Sequence, residues 1–134
     1  MVRRYYELFN ERKLDDAAEF VDRQATFHYL PTRQRLIGRA GYRALMAAWL
    51  NAFEDARLEI RSVLVLNDHS VQIEFVGQGT HTGDLVLGEG LTIPATGRKA
   101  ELPFHDILEI RNGVIISAEL DFDVEEMKRR LLGQ

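Results

Sequence analysis

"ELPFHDILEIRNGVIISAELDFD", residues 101–123, is the stretch on which the fold turns. Asn112-Gly113 stands between two apolar runs. A two-residue type I′ turn needs positive φ at both central positions, which Asn and Gly tolerate. The stretch therefore reads as a β-hairpin whose short loop sets the register. Arg111 faces Val114, Leu108 faces Ser117, Asp106 faces Glu119 and Phe104 faces Asp121. Strand alternation puts Leu102, Phe104, Asp106, Leu108 and Ile110 on one face with Ile115, Ser117, Glu119 and Asp121. The other face takes Pro103, His105, Ile107 and Glu109 with Val114, Ile116, Ala118, Leu120 and Phe122.

On this register Asp106 and Glu119 lie about 5 Å apart between Cβ atoms, among apolar side chains. Two such carboxyls do not both ionise cheaply, so one pKa rises. A neutral acid beside an ionised one suits proton transfer near neutral pH. The alternative is that Glu119 and Asp121 point to water and pair with basic side chains. The second face is apolar as well and needs its own cover. The chain has no spare helix, so the expectation is a homodimer through the outer face of the sheet.

Working outward, Val2, Tyr5, Tyr6 and Phe9 have helical spacing, and Asp15-Asp16 opens a second helical stretch with Leu14, Ala17, Ala18 and Val21 inward. "ATFHYL" (25–30) reads as a short strand, and Gly38 leads into the clearest helix. There Tyr42, Leu45, Met46, Trp49 and Phe53 form one apolar stripe, foremost a core stripe, with Trp49 placed also to touch a ligand. "RLEIRSVLVL" (57–66) and "VQIEFVGQGTHT" (71–82) alternate like strands around an "NDHS" turn. "VEEMKRRLLGQ" is a short helix or tail. Helices followed by long antiparallel strands give an α+β domain over residues 1–134: a curved antiparallel sheet wrapped around N-terminal helices as a cone, with a cavity between stripe and sheet.

The bulk properties narrow the function. The 134 residues carry a formal net charge of -4 with both signs interspersed, so no basic stripe points to nucleic acid. There is no cysteine, hence no thiol nucleophile and no disulfide. The start lacks the apolar run of a secretory signal, and no stretch approaches the roughly 18 apolar residues of a membrane span. A cytoplasmic chain without membrane contact is the expectation. His28, His69, His81 and His105 show no metal-ligand spacing. His28 is placed either to line the pocket or to be a buried structural residue. His105 falls on the face opposite Asp106, and no serine elbow or phosphate loop is present.

Residues 81–102, "HTGDLVLGEGLTIPATGRKAEL", combine four glycines with Leu85, Val86, Leu87, Leu91 and Ile93. The stretch joins two long strands, and its glycines allow the bends. Leu85, Val86, Leu87, Leu91 and Ile93 need something apolar to cover. Residues 84–93, with Asp84 and Glu89 in turn-like settings, are therefore expected to form a pocket lid or a dimer arm rather than the catalytic centre.

"YYELFNERKLDDAAEFVDRQATFHYL", "LIGRAGYRALMAAWLNAF", "GTHTG", "IPATGRKAEL", "HDILEIRNGVI" and "LDFD" together resemble the SnoaL-like polyketide cyclases of the NTF2-like superfamily. The resemblance covers nearly the whole chain. It implies an α+β cone, a deep apolar cavity, frequent dimers and no cofactor, with acid–base side chains closing a ring by intramolecular aldol condensation. A distant similarity to ketosteroid isomerases implies oxyanion-hole roles for Tyr5 and for a protonated Asp106. Where those isomerases carry their proton-abstracting aspartate this chain reads "ATFHYL", with Tyr29 near that position, so their mechanism is not expected. The catalytic candidates are thus Asp106, Glu119 and Tyr5: Asp106 and Tyr5 to hold an enolate oxygen, Glu119 to move the proton. Tyr29, Trp49, Phe53, Phe104, Asp121 and His28 are expected to line the pocket. An apolar carbonyl-containing ligand and an isomerase or cyclase follow, with a non-catalytic ligand-binding or dimeric scaffold domain as the alternative.

Overall fold

A computed structural model describes residues 1–88 and 90–133. Helices α1 (Val2–Asn10) and α2 (Leu14–Ala18) lead into strand β1 (Val21–Tyr29), so Val21 opens the strand instead of closing the second helix. Strand β2 (Gln34–Ile37), helix α3 (Gly38–Ala52), β3 (Arg57–Val65) and β4 (Ser70–Thr80) follow. A small hairpin, β5 (Leu85–Val86) with β6 (Thr92–Ile93), precedes β7 (Lys99–Arg111), β8 (Val114–Phe122) and helix α4 (Val124–Leu132). The main sheet has the order β2-β1-β8-β7-β4-β3, antiparallel except where β1 runs parallel to β8, and it does not close. Helices α1 and α3 pack against it through Tyr5, Tyr6, Phe9, Tyr42 and Leu45, which join Phe27, Phe75, Leu102 and Leu108 in one buried cluster.

The turn forms as expected, with φ of 52° at Asn112 and 77° at Gly113. The register beyond it does not. Arg111 pairs with Val114 and Ile110 with Ile115, but Glu109 pairs with Ser117, leaving Ile116 as an extra residue on β8. A β-bulge of this kind shifts every later side chain to the opposite face. Asp106 consequently faces Leu120, while Glu119 faces Ile107 and Asp121 faces His105. Ala118, Leu120 and Phe122 turn inward and are buried, whereas Glu119 is exposed. The carboxylate pair expected at Asp106–Glu119 is therefore absent. The outer face carries Ser117, Glu119, Asp121, His105 and Glu109 beside Pro103 and Ile107, so it is more polar than the register read from the turn implied.

Residues 81–88 and 90–93 are built into the fold. Leu85, Leu87 and Ile93 are buried, and β5 packs on α3. Thr82 and Gly83 donate their amides to the Ala52 carbonyl at the end of α3 (2.9 and 3.1 Å). His81 is buried, with Nδ1 accepting from the Thr96 amide (3.2 Å) and its ring 5.3 Å from that of Phe53. Burial holds the His81 imidazole below its ordinary pKa. Glu89 lies outside the described residues.

Helix α1 is pinned to β3 by one side chain. Asn10 Nδ2 donates to the Leu58 carbonyl (2.9 Å) and Asn10 Oδ1 accepts from the Leu58 amide (2.8 Å). The Arg12 guanidinium adds bonds to the carbonyls of Glu54 and Ala56 (3.0 and 2.7 Å). Asn10→Ala leaves both Leu58 groups unpaired and is expected to destabilise the chain by about 1–3 kcal/mol at unchanged m-value in urea unfolding. A loss below about 0.5 kcal/mol would mean that water replaces both bonds.

Candidate functional site

The helices and the concave face of the sheet enclose a cavity of about 90 Å³. Its wall is aromatic. Trp49 and Phe53 come from the α3 stripe and its end, Phe75 from β4, Phe104 from β7, and Tyr5, Tyr6 and Phe9 from α1. The Phe75 and Phe104 rings stack in parallel at 5.3 Å between centroids, and Trp49 meets Phe104 edge-on at 5.5 Å. Such pairs add roughly 0.5–1.5 kcal/mol each beyond area burial, which stiffens the wall. Phe104 lies flat because β4 carries Gly77 beneath it. A Cβ there would come within 2.9 Å of the ring.

One carboxyl interrupts this apolar surface. Asp106, only 9% exposed, projects from β7 into the cavity wall. The Tyr6 hydroxyl donates to its Oδ2 at 2.7 Å, and its Oδ1 is buried with no hydrogen-bond partner. Burial pushes the Asp106 carboxyl up to about 7, against the opposing pull of the Tyr6 hydrogen bond and of His105. Burial likewise holds the Tyr5 and Tyr6 hydroxyls protonated, far above their ordinary value. The site thus presents one acid that titrates near neutrality, held at one oxygen and free at the other.

The expected residues divide into three sets. Asp106, Tyr5, Trp49, Phe53 and Phe104 all line the cavity. His28 borders it from β1, where Ala25, Phe27 and Tyr29 occupy the buried positions. Tyr29 stands behind the wall, 6.1 Å from Trp49 and 5.9 Å from Phe122. Glu119 and Asp121 lie on the outer face, where Asp121 Oδ2 is 3.5 Å from His105 Nε2. No residue from 81 to 98 borders the cavity among those described, so this segment clasps α3 instead of covering the pocket. Sequence reasoning missed Tyr6. Tyr5 and Tyr6 are adjacent, both buried, their rings edge-to-face at 5.5 Å, and the packing of α1 decides that it is the Tyr6 hydroxyl that reaches Asp106. Among the described residues no group of three or more His, Cys, Asp or Glu is arranged to hold a metal ion, and no helix is long and apolar enough to cross a membrane.

Fold and cavity together define a class: small α+β proteins whose curved sheet and helices enclose an apolar pocket with an internal acid. The chain belongs to the SnoaL-like polyketide cyclase family, whose model matches residues 1–130. Among solved structures, a candidate polyketide cyclase from Xanthomonas campestris pv. campestris is similar at 27% identity and a TM-score of 0.76, over 97% of this chain and 93% of that one. A SnoaL-like polyketide cyclase from Agrobacterium tumefaciens is similar at 18% identity and 0.77, over 97% and 94%. TsrD from Streptomyces laurentii is similar at 20% identity and 0.80, over 97% and 90%. The last two likenesses establish the NTF2-like fold alone. Among curated proteins none matches the chain.

Two measurements test the site. The folded chain keeps the Asp106 proton up to about pH 7, whereas the unfolded chain releases it near 4. The native state binds the extra proton between those values, so the Asp106 contribution to stability is fully present below about pH 4 and is lost as pH rises through about 7. Asp106→Asn removes that slope and is expected to exceed the parent above pH 7 by up to roughly 4 kcal/mol in urea unfolding. Identical slopes in both proteins would show that Asp106 is not a buried neutral acid. Gly77→Ala pushes on the Phe104 ring, which meets Trp49 edge-on. The chain has a single tryptophan, so a shifted emission maximum reports the move directly. An unchanged spectrum would mean that β4 yields instead of Phe104.

Proposed function

We propose that the chain binds a small, uncharged, carbonyl-containing molecule in this cavity and moves a proton on it, with Asp106 as the acid–base group. The observation that carries this reading is the Asp106 carboxyl, tied by Tyr6 at Oδ2 and unpartnered at a buried Oδ1 in the wall of an aromatic pocket. A carboxyl near pKa 7 is matched to proton transfer at neutral pH, and the protein supplies that match by desolvation.

In the ionised form the Asp106 carboxylate takes a proton from the carbon next to a carbonyl. The C–H electrons become the enolate C=C bond, and the carbonyl π electrons settle on oxygen. The Tyr5 hydroxyl, also in the wall, is the donor for that oxygen. Two endings follow from the same intermediate. The neutral Asp106 returns its proton at another carbon of the enolate system, which is an isomerisation. Alternatively the enolate carbon attacks a second carbonyl of the same molecule, and the new alkoxide takes the proton from Asp106, which is an aldol cyclisation. Glu119 has no part in either, because the bulge turns it outward. Tyr6 orients Asp106.

One observation favours a second reading. The residue facing Asp106 is Leu120, so no second acid–base group stands across from it. A lone carboxyl also suits a module that only grips a polar atom of an apolar ligand.

2-Tetralone, an uncharged ketone with acidic α-hydrogens, separates the two. In D2O the parent chain is expected to speed deuterium uptake at the α-carbon with a rate that rises through about pH 7, followed by NMR. Asp106→Asn is expected to lose roughly 100-fold or more of that rate, and Tyr6→Phe to move the midpoint upward. Quenching of Trp49 by 2-tetralone without any catalysed exchange would remove the enzyme and leave the binding module.

A further inference from the structure

We propose that α4 is the gate of the cavity and that Met127 sets the size of ligand the cavity admits. This rests on the ligand-binding reading above but concerns a different element. Met127 is buried and is the residue of α4 that enters the cavity wall. The rest of the wall comes from α1, α3, the loop that follows α3, and the sheet.

The two kinds of wall are held differently. Helix α1 is fastened to β3 and the preceding loop through the polar bonds of Asn10 and Arg12, and Arg39 of α3 donates to the Val21 carbonyl at 3.0 Å. Helix α4 keeps its polar bonds to itself. Asp123 caps its start by accepting from the Glu126 amide (3.1 Å), and Gly133 ends it in the left-handed conformation at φ 73°. Lys128 pairs with Glu125, and Arg129 and Arg130 both pair with Glu126, all within the helix. Among the described residues no side chain of 124–132 hydrogen-bonds or ion-pairs with the body. The helix docks through Val124, Met127 and Leu131, with the Arg98 guanidinium lying against Gly133 at its end. Undocking α4 therefore exposes three apolar side chains and breaks no hydrogen bond to the sheet or to α1–α3. Among the walls of the cavity this is the one that opens with the least loss, and its opening withdraws the Met127 side chain from the space next to the aromatic wall.

The test uses N-phenyl-1-naphthylamine, an uncharged fluorophore larger than 2-tetralone, with Trp49 as the energy donor in stopped flow. Leu131→Ala, which loosens the dock outside the cavity, is expected to raise the association rate about fivefold or more. Val21→Ala, a core truncation away from α4, is expected to leave that rate within about twofold, which controls for general destabilisation. Met127→Ala is expected to tighten binding of the fluorophore about fivefold while changing that of 2-tetralone less than about twofold. Association rates unaltered by Leu131→Ala, or raised equally by Val21→Ala, overturn the gate. Amide hydrogen exchange decides the matter even if neither compound binds, an outcome that defeats the ligand reading alone. An undocked nine-residue helix is too short to protect its own amides. The amides of α4 are therefore expected to exchange together and well before those of α1 and α3, and exchange of α4 only with global unfolding overturns the proposal.

Discussion

The single extra residue at Ile116 governs the site. Upstream of it β8 points Ile115 into the core; downstream it points Ala118, Leu120 and Phe122 there. Without the bulge, alternation would carry Glu119 and Asp121 into the helices and leave three apolar residues on the outside. With it, the interior surface of β7 and β8 is aromatic and aliphatic around one carboxyl, and the acids of β8 share the outer face with His105 and Glu109. The bulge therefore separates the charges that belong in water from the one that does not. It also sets how dry the surroundings of Asp106 are, since Leu120 stands directly across from it.

That dryness shapes the rest of the cavity. A carboxylate buried among rings is costly unless something compensates it, and here a single hydroxyl, from Tyr6, does so at one oxygen. Tyr6 in turn is fixed by its neighbours: its ring meets Tyr5 and Phe75 at 5.5 and 5.3 Å. The position of α1 thus controls the protonation of a residue on β7 one hundred positions away. The fastening of α1 to β3 through Asn10 is part of the same arrangement, since sliding the helix would take the hydroxyl with it.

Much of this was legible in the sequence. The helical stripe of Tyr42, Leu45, Met46, Trp49 and Phe53, the Asn112-Gly113 turn and the apolar alternation of the strands are local signals, and each corresponds to an element found. Asp106 was legible as well, because an acid alternating with Phe104 and Leu108 must share their face. The partner across the ladder was not, because pairing read from a turn holds only as far as the first bulge. A trace of the bulge is nevertheless present. Val114, Ile115 and Ile116 are three apolar residues in succession, after which Ala118, Leu120 and Phe122 alternate in the other phase. A run followed by a change of phase is how an inserted residue looks when both flanks must bury one face. The identity of the bonded tyrosine and the course of residues 81–98 depend on tertiary packing that no local pattern records.

The presence of an acid at position 106 is itself informative. Packing does not require it. Its neighbours on the inward face of β7, Phe104 and Leu108, are apolar, and so is Leu120 opposite. An apolar or amide side chain there would spare the fold the desolvation that pushes the carboxyl up to about 7. Structural carboxyls tend to be depressed by nearby cations or by several donors. Asp55 on the surface is of that kind, held low by the Thr80 amide and hydroxyl. Asp106 has the opposite environment, with one donor, one unpartnered oxygen and an aromatic cavity in front of it. A buried carboxyl kept at the expense of stability in the wall of an internal cavity is more readily understood from what that cavity takes than from the fold around it.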